Sequence, residues 1–467
     1  MRYFPDVIII YEHKARELYS CYLLKYELKK RGIYALVCHN SYRHTWWVRL
    51  LAKPKIVISL CALTTELIPG WLVFDQHSSF LRCSPSYYIN LQIEQIFREN
   101  HAQYNIVTDK KYKDMIYYVC WGEHRKKQIL KEGIEASHIW VTGALQLDFC
   151  RKEWMFLFMT KTELAKKYKI NEKKKWILFI SSFPYVTYSK KELEWGEKIK
   201  NDYQDMKKEL DGYELKKVAT NTYQTILDWI DWFLKEKQFI FIYRPHPGER
   251  KTRKIEELIQ KYPKQFFYLA EGSIHQWIRA CDIVDTWVST AYAEAIFLDK
   301  PCNLIQPYGA PLQFEPIYCS PCKKIHTYSE FVKVHKNENQ KDLKQEKERL
   351  HLYYKWEEVP AYIEICNQIE QLFYDKKSVL CSNKKKIVKY LFTKAYFLEL
   401  YVSFVFTFGI KIYLPYRGNK LKQFNEKLKK GGDIYMDCFI TKAEKEMLKK
   451  LKKYIEGKNY AGFFNML

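Results

Sequence analysis

Short apolar runs alternate with stretches of helical length between residues 5 and 310, and this alternation restricts the fold more than any other feature. Val7-Ile8-Ile9-Ile10 reads as a buried strand, and Lys14 to Arg31 has the length and mixed polarity of a helix that ends at Gly32, a favourable C-cap residue. Ile33 to Cys38 is a second strand, Tyr42 to Ala52 a helix and Lys55 to Leu60 a third strand. Strand, helix and strand repeating at this pitch imply a parallel sheet, because parallel neighbours need a crossover between them. Trp71 to Phe74, Tyr117 to Cys120 and His138 to Thr142 read as further strands, with a helix from His124 to Glu132, which completes an α/β domain over residues 1–150.

Residues 151–175 lack a clear strand and read as a linker, after which the pattern restarts. Trp176 to Ile180, Phe239 to Tyr243, Phe266 to Leu269, Asp282 to Val288 and Pro301 to Ile305 read as strands of a second α/β domain, 176–330. Between the first two, Tyr185 to Tyr213 reads as a charged insertion, and Tyr223 to Lys237 as a helix. The last part, 331–467, loses the alternation and reads as a basic helical extension. Within it Ala395 to Ile410 is almost wholly apolar but shorter than the ~20 residues that span hydrocarbon. It reads equally as an interfacial helix on an anionic inner leaflet or as a buried helix.

A chain of 467 residues is too long for one ordinary core and suits two or three domains, and a 47% hydrophobic, 17% aromatic composition excludes global disorder. The formal charge of +24 points to anionic partners. Thirteen scattered cysteines and no secretory signal before the first strand imply reduced thiols and a cytoplasmic location, with the inner membrane surface as a further partner of the tail. Cys319 and Cys322, with His326 nearby, have C-x-x-C spacing but no second pair to complete a tetrahedral zinc site, so the expectation is a structural loop, no metal and no cofactor. No glycine cluster follows the first strand, which argues against a nicotinamide or flavin enzyme.

Ionisable and hydroxyl residues gather where the strands end, which is where open parallel sheets bind ligands. The strand from Phe239 stops at Arg244-Pro245-His246-Pro247-Gly248. His246, fixed between two prolines, is either a held ligand group or a solvated histidine in a turn. Arg244 either contacts a ligand or holds that turn by an ion pair. Ser181 and Ser182 follow another strand, and Ser289 and Thr290 open a helix whose unpaired N–H groups can bind phosphate, the alternative being plain N-capping. Glu294 falls in the first turn of that helix, placed to accept from ribose hydroxyls. In the first domain Asp75 and His77 follow the Trp71 strand.

Taken in order, these residues resemble the bacterial surface carbohydrate and capsule polysaccharide biosynthesis proteins, GT-B glycosyltransferases related in style to Kdo transferases and bacterial sialyltransferases. Arg16-Glu17-Leu18 with Leu28-Lys29-Lys30-Arg31-Gly32, Trp121-Gly122-Glu123, Val141-Thr142-Gly143 with Asp148, Arg244-Pro245-His246-Pro247, and Ser289-Thr290 with Glu294 carry the resemblance. It implies two Rossmann-like domains facing across a cleft. His246, Pro247, Ser289 and Thr290 would lie on the donor nucleotide's phosphate, and a carboxylate of the first domain would be the base. The chain departs from the family where an acidic pair and glycine are replaced by Asp75-Gln76-His77-Ser78, and where Ala144 and Leu145 stand for Asn-Pro.

The expected chemistry is attack of a glycan or lipid-linked acceptor hydroxyl on the anomeric carbon of a nucleotide-sugar donor. Asp75 or His77 would take the hydroxyl proton and His246 would meet the departing phosphate. A CMP-activated Kdo or sialic-type acid is the favoured donor, with a CDP-polyol phosphotransferase-like polymer synthase or a UDP-sugar enzyme as alternatives and a sugar-nucleotide epimerase as a more distant one. The competing class is a non-catalytic basic protein that binds membrane or nucleic acid, but ligand-type residues at strand ends in both domains favour the enzyme and make nucleic acid an unfavoured partner.

Overall fold

The computed structural model describes residues 5–39, 54–59, 83–84, 86–92, 95–96, 106–107, 116–191, 193–194, 212–311, 315–336, 343–375, 380–381 and 440–457. The chain divides into two compact units, one made of Met1–Gln95, Gln103–Leu145 and Lys355–Leu467, the other of Ile96–Ala102 and Gln146–Tyr354.

The first unit contains β1 (Val7–Tyr11), α1 (Lys14–Lys30), β2 (Ala35–His39), β3 (Ile56–Ser59), β4 (Tyr87–Asn90), β5 (Ile116–Cys120), α2 (Glu123–Lys131) and β6 (Ile139–Val141). Its strands form one parallel sheet in the order β2-β1-β3-β4-β5-β6. All five residues of β1 are buried, as an apolar strand flanked on both edges requires: Ile8 pairs with Leu36 on one side and Val57 on the other. The sheet takes β4 where no strand was expected, because Tyr87-Tyr88-Ile89-Asn90 lacks an aliphatic run although every residue of it is buried. The strand and helix expected at Trp71 to Phe74 and Tyr42 to Ala52 lie outside the described residues.

The second unit begins with a 3-10 turn, Lys152–Leu157, and α3 (Lys161–Tyr168), followed by β7 (Lys175–Ile180), α4 (Gly212–Phe233), β8 (Phe239–Arg244), α5 (Arg253–Lys261) and β9 (Phe266–Tyr268). Then come α6 (Ile274–Ala280), β10 (Ile283–Thr286), α7 (Ala291–Phe297), β11 (Cys302–Ile305), β12 (Lys324–Ile325), α8 (Tyr328–Lys336) and α9 (Leu343–Leu350). These strands also form a parallel sheet, in the order β9-β8-β7-β10-β11-β12. Its core is largely aromatic: Phe179, Phe183, Phe233, Phe241, Tyr243, Trp287 and Phe331 belong to one buried cluster, and Phe183 stacks on Trp287 with centroids 4.7 Å apart.

The segment 151–175, read as a linker, is part of this second unit. Trp154 and Leu164 are fully buried there, and Thr160 and Glu163 form a capping box that starts α3. The residues beyond 330 divide between the units. After Tyr354 the chain returns to the first unit, where α10 (Ala361–Tyr374) and α11 (Lys442–Gly457) pack on α1. Arg31 donates to Asn367 (2.6 Å) and Glu370 (2.9 Å) of α10, and Lys29 reaches Glu456 of α11 at 2.7 Å. Three layers therefore cover α1, which explains why its apolar residues do not keep to one stripe: Leu18, Cys21, Leu24, Tyr26 and Leu28 are all buried.

Gly143 marks the return point. Its φ is +95°, and a Cβ there would stand 2.6 Å from the Lys355 carbonyl oxygen, so no side chain fits. Lys355 N–H donates to Trp121 O at 2.6 Å, and its Nζ binds Glu364 at 2.7 Å. Ala395 to Ile410 lies outside the described residues, among which no helix is long and apolar enough to cross a membrane.

One buried polar contact ties α8 to the sheet. Asp285 of β10 accepts from Asn303 (2.9 Å) and lies 2.7 Å from His335 Nε2, while His335 Nδ1 lies 2.7 Å from Phe331 O. Asp285 and His335 are both 0% exposed, so removing one leaves the other without its partner in a place water does not reach. His335→Ala is expected to cost about 3–5 kcal/mol, seen as a lower urea midpoint, whereas Lys264→Ala on the exposed surface should leave the midpoint in place.

Candidate functional site at the strand ends of the second unit

The register of the second sheet brings three loops to one edge. Ile180 of β7 pairs with Arg244 of β8 and with Thr286 of β10, so the loops carrying Ser181-Ser182, His246 and Ser289-Thr290 leave the sheet side by side. Strand order runs outward from β7 to β9 on one side and from β10 to β12 on the other, which makes the β7/β10 edge the topological switch point, the usual crevice for a ligand. Cross-loop bonds hold the set together. Ser181 N–H donates to Arg244 O (2.9 Å), Val288 N–H to Ser182 Oγ (3.4 Å), and Gln306 Nε2 to Trp287 O (3.3 Å).

His246 sits in a closed turn. Glu249 N–H donates to His246 O at 2.8 Å, and Gly248 N–H donates to His246 Nδ1 at 3.1 Å. Because Nδ1 accepts, the neutral ring carries its proton on Nε2. Pro247 is exposed and sets the turn. Beneath it the Glu249 side chain is buried and accepts from the His246 backbone N–H (3.4 Å), from Tyr243 OH (2.6 Å) and from Ser181 Oγ. Burial pushes the Glu249 carboxyl up, and the bonds from Ser181 and Tyr243 oppose that rise. The Ser181 hydroxyl is therefore engaged below the loop. Glu249 and Tyr243 were not anticipated as site residues. The available signal was an acid three positions after His246, a spacing that lets a carboxylate close the turn.

Arg244 is buried. Its guanidinium donates to the carbonyls of Leu269 (3.4 Å), Glu271 (2.9 Å) and Gly272, which fixes the loop after β9. Its charge also reaches Glu294 and His275. Burial raises the Glu294 carboxyl to about 7, with the Arg244 charge opposing. Burial, then the Arg279 and Arg244 charges, depress His275 to about 3. Glu294 Oε2 and His275 Nε2 lie 3.5 Å apart, and neither buried atom has a hydrogen-bond partner among the described residues. With the ring neutral, this contact is not an ion pair. His275 is a second residue that sequence reasoning missed, since nothing but its place two residues after the N-cap Ser273 distinguishes it.

The hydroxyl pair divides. Ser289 Oγ accepts from Ala291 N–H at 3.2 Å and so caps the turn, while the Thr290 side chain makes no capping bond. Both residues are half-buried, as is Ser182. Asp75 and His77 lie outside the described residues. In the first unit the turn after β1 is closed by an acid: Glu17 Oε2 accepts from the backbone N–H groups of Glu12 (2.7 Å) and His13 (2.9 Å). Those amides, where a dinucleotide fold would meet phosphate, face a carboxylate instead. His326 Nδ1 is engaged with Gln306 O at 2.6 Å, and no group of three or more His, Cys, Asp and Glu among the described residues is placed to hold a metal ion.

This is the GT-B fold. The structure of a histidine variant of the wall teichoic acid polymerase TagF superposes with a TM-score of 0.50 at 12% identity, covering 79% of this chain and 89% of that one. The S. aureus MnaA–UDP structure (TM-score 0.47, 13% identity, 80% and 98% covered) and the UDP-GlcNAc 2-epimerase from Neisseria meningitidis bound to UDP-GlcNAc (0.46, 14%, 79% and 99%) are also similar. No protein-family profile and no curated protein matches the sequence.

The Glu294 carboxyl supplies a test of cost against use. Its folded-state pKa is raised, so the stability associated with its protonated form is present below the ordinary glutamate range and is lost as pH rises through about 7. Glu294→Gln should thus be more stable than the parent at pH 8 by up to about 3 kcal/mol, with the difference fading toward pH 4. Denaturation at the two pH values checks this, and equal stability at pH 8 would show that Glu294 is not strained by burial.

Proposed function

We propose that the chain is a GT-B transferase of bacterial surface-polymer biosynthesis that binds the nucleotide of an activated donor at the strand ends of the second unit. The observation that carries this reading is the His246 turn. Its Nδ1 is occupied by Gly248 N–H, so the ring offers a proton on Nε2, the group needed to stabilise a phosphate as it becomes a leaving group. Thr290, whose hydroxyl is not consumed in capping, is the second phosphate contact. Ser182 lies on the same edge and Ser289 holds the loop. Glu294 is assigned to the ribose hydroxyls: a carboxylate kept in a buried place at a cost to stability is typical of a binding group.

In the reaction an acceptor hydroxyl attacks the donor's electrophilic centre, the bond to the nucleotide phosphate breaks, and the acceptor proton passes to a base. The motif order supports Asp75 or His77 as that base. It also supports a CMP-activated Kdo or sialic-type acid as donor, attacked at the anomeric carbon. The second reading is a CDP-polyol donor attacked at phosphorus to build a polyol-phosphate polymer. Likeness in fold to a wall teichoic acid polymerase favours that alternative. A glycan or lipid-linked acceptor suits either.

Thermal unfolding with CMP, CDP and UDP in turn identifies the nucleotide, because a ligand that binds the folded state raises the melting temperature by mass action. His246→Ala is expected to lower kcat on the order of a hundredfold or more while leaving the unliganded melting temperature near that of the parent. If no nucleotide stabilises the protein and binding to polyanions falls steeply with salt instead, the non-catalytic reading replaces this one. Undiminished transfer by Asp75→Asn combined with His77→Ala would remove the base assignment alone.

A further inference from the structure

The Cys319-x-x-Cys322 pair is unused by the proposed transfer, and the structure surrounds it with groups that a merely structural loop does not need. Cys322 N–H donates to Cys319 O at 3.0 Å, so the two residues are the ends of one tight turn. The Cα atoms of such a turn lie within about 7 Å, compatible with the separation of about 4.4–6.8 Å that a disulfide spans. Arg349 Nη2 of α9 donates to Cys322 Sγ at 2.9 Å, and the Tyr292 hydroxyl lies 3.4 Å from the same sulfur. Arg349 is itself fixed by Glu346, which also accepts from Tyr292 at 2.5 Å. Cys322 is buried, while its chain neighbours Ser320, Pro321 and Lys323 are exposed.

We propose that Cys322 is a peroxide-reactive thiol resolved by Cys319. The guanidinium against the sulfur favours the thiolate, the nucleophilic form. The thiolate attacks a hydroperoxide oxygen, forming the S–O bond of a sulfenic acid as the O–O bond breaks. With hydrogen peroxide the departing hydroxide takes a proton and leaves as water. Cys319 then attacks the Cys322 sulfur, its proton leaving with the sulfenic hydroxyl as a second water. Two thiols and one peroxide thus become one disulfide and two waters. The Cys322 thiol is brought down to about 7, first by the hydrogen bond from Cys319 and to a smaller extent by Tyr292 and Arg349, against the opposing effects of burial and Glu346. By contrast, burial pushes the thiols of Cys21, Cys120, Cys150, Cys281, Cys319 and Cys366 up. The reaction site abuts α7, since Tyr292 lies two residues beyond Thr290 and Tyr318 OH donates to Thr290 O at 3.4 Å.

The test uses the full reduced chain and hydrogen peroxide at low molar excess, followed by alkylation and tandem mass spectrometry. The expected product has lost two hydrogens and carries a bridge between Cys319 and Cys322 that dithiothreitol reverses. In Cys319→Ser the intermediate should persist and be captured by dimedone on Cys322. Arg349→Gln should slow that capture on the order of tenfold and move the pH midpoint of Cys322 alkylation upward, a change that loss of packing alone would not produce. Cys322 reacting no faster than Cys281 in the parent chain, or a bridge formed elsewhere while Cys319 and Cys322 stay reduced, would overturn the proposal. None of these readouts depends on nucleotide binding.

Discussion

A carboxylate that has lost its water must be met by hydrogen bonds, and in the second unit that requirement organises the candidate site. Glu249 sits under the loop it terminates and draws the Tyr243 hydroxyl, the Ser181 hydroxyl and the His246 backbone N–H to one point. The ends of β7 and β8 and the turn that follows β8 are thereby fixed relative to each other. The prolines on either side of His246 restrict the backbone, but they do not choose a ring orientation. Orientation comes from Gly248 N–H on Nδ1, in a turn that Glu249 N–H closes on the His246 carbonyl. A rigid element supporting a polar side chain at a strand end is what preorganised electrostatic stabilisation requires.

The charges around this turn follow a similar logic. Arg244 donates to three carbonyls of the next loop. It serves as a buried cation that moderates the Glu294 carboxyl, whose burial is otherwise unfavourable. His275 stays neutral in the same surroundings and adds no counter-charge. The result is an acid held away from its preferred protonation behaviour at a place where packing alone would have selected an apolar residue. In the first unit the turn after β1 shows another solution: Glu17 satisfies the amides after β1 internally. Both sheets are six-stranded and parallel, but their strand orders differ.

Much of this was legible in the sequence. Strands such as Val7–Tyr11 and Phe239–Arg244 announce themselves because a parallel strand buried on both faces must be continuously apolar. The His246 and Ser289-Thr290 loops were legible because they follow such strands. Tyr87–Asn90 was not, since its tyrosines and asparagine carry no period and only its neighbours in the sheet bury it. The path of the tail was hidden for another reason. The apolar residues Leu448, Leu451 and Ile455 show that α11 must pack, but not that α1 from the other end of the chain receives them. Trp121-Gly122-Glu123 and Thr142-Gly143 stood out by resemblance to a family. Their visible work is structural, since they receive Lys355 where the chain comes back. Glu249 and His275 escaped notice because an isolated acid or histidine acquires meaning only from the atoms a fold places around it.

The chain carries a formal charge of +24. Of the arginines around the His246 turn, Arg244 donates to the carbonyls of Leu269, Glu271 and Gly272, and Arg250 donates to the Thr187 carbonyl at 3.1 Å. Much of the described surplus lies on surface helices, including the exposed lysines Lys445, Lys449, Lys450, Lys452 and Lys453 of α11. Charge spread in this way raises the potential over the surface without fixing a ligand's orientation. Capture of an anionic ligand and its placement are then separate tasks. The first belongs to a diffuse field that salt screens within about 10 Å. Under the proposed function the second belongs to donors held in turns, the His246 ring and the Thr290 hydroxyl, whose action at short range is far less sensitive to salt.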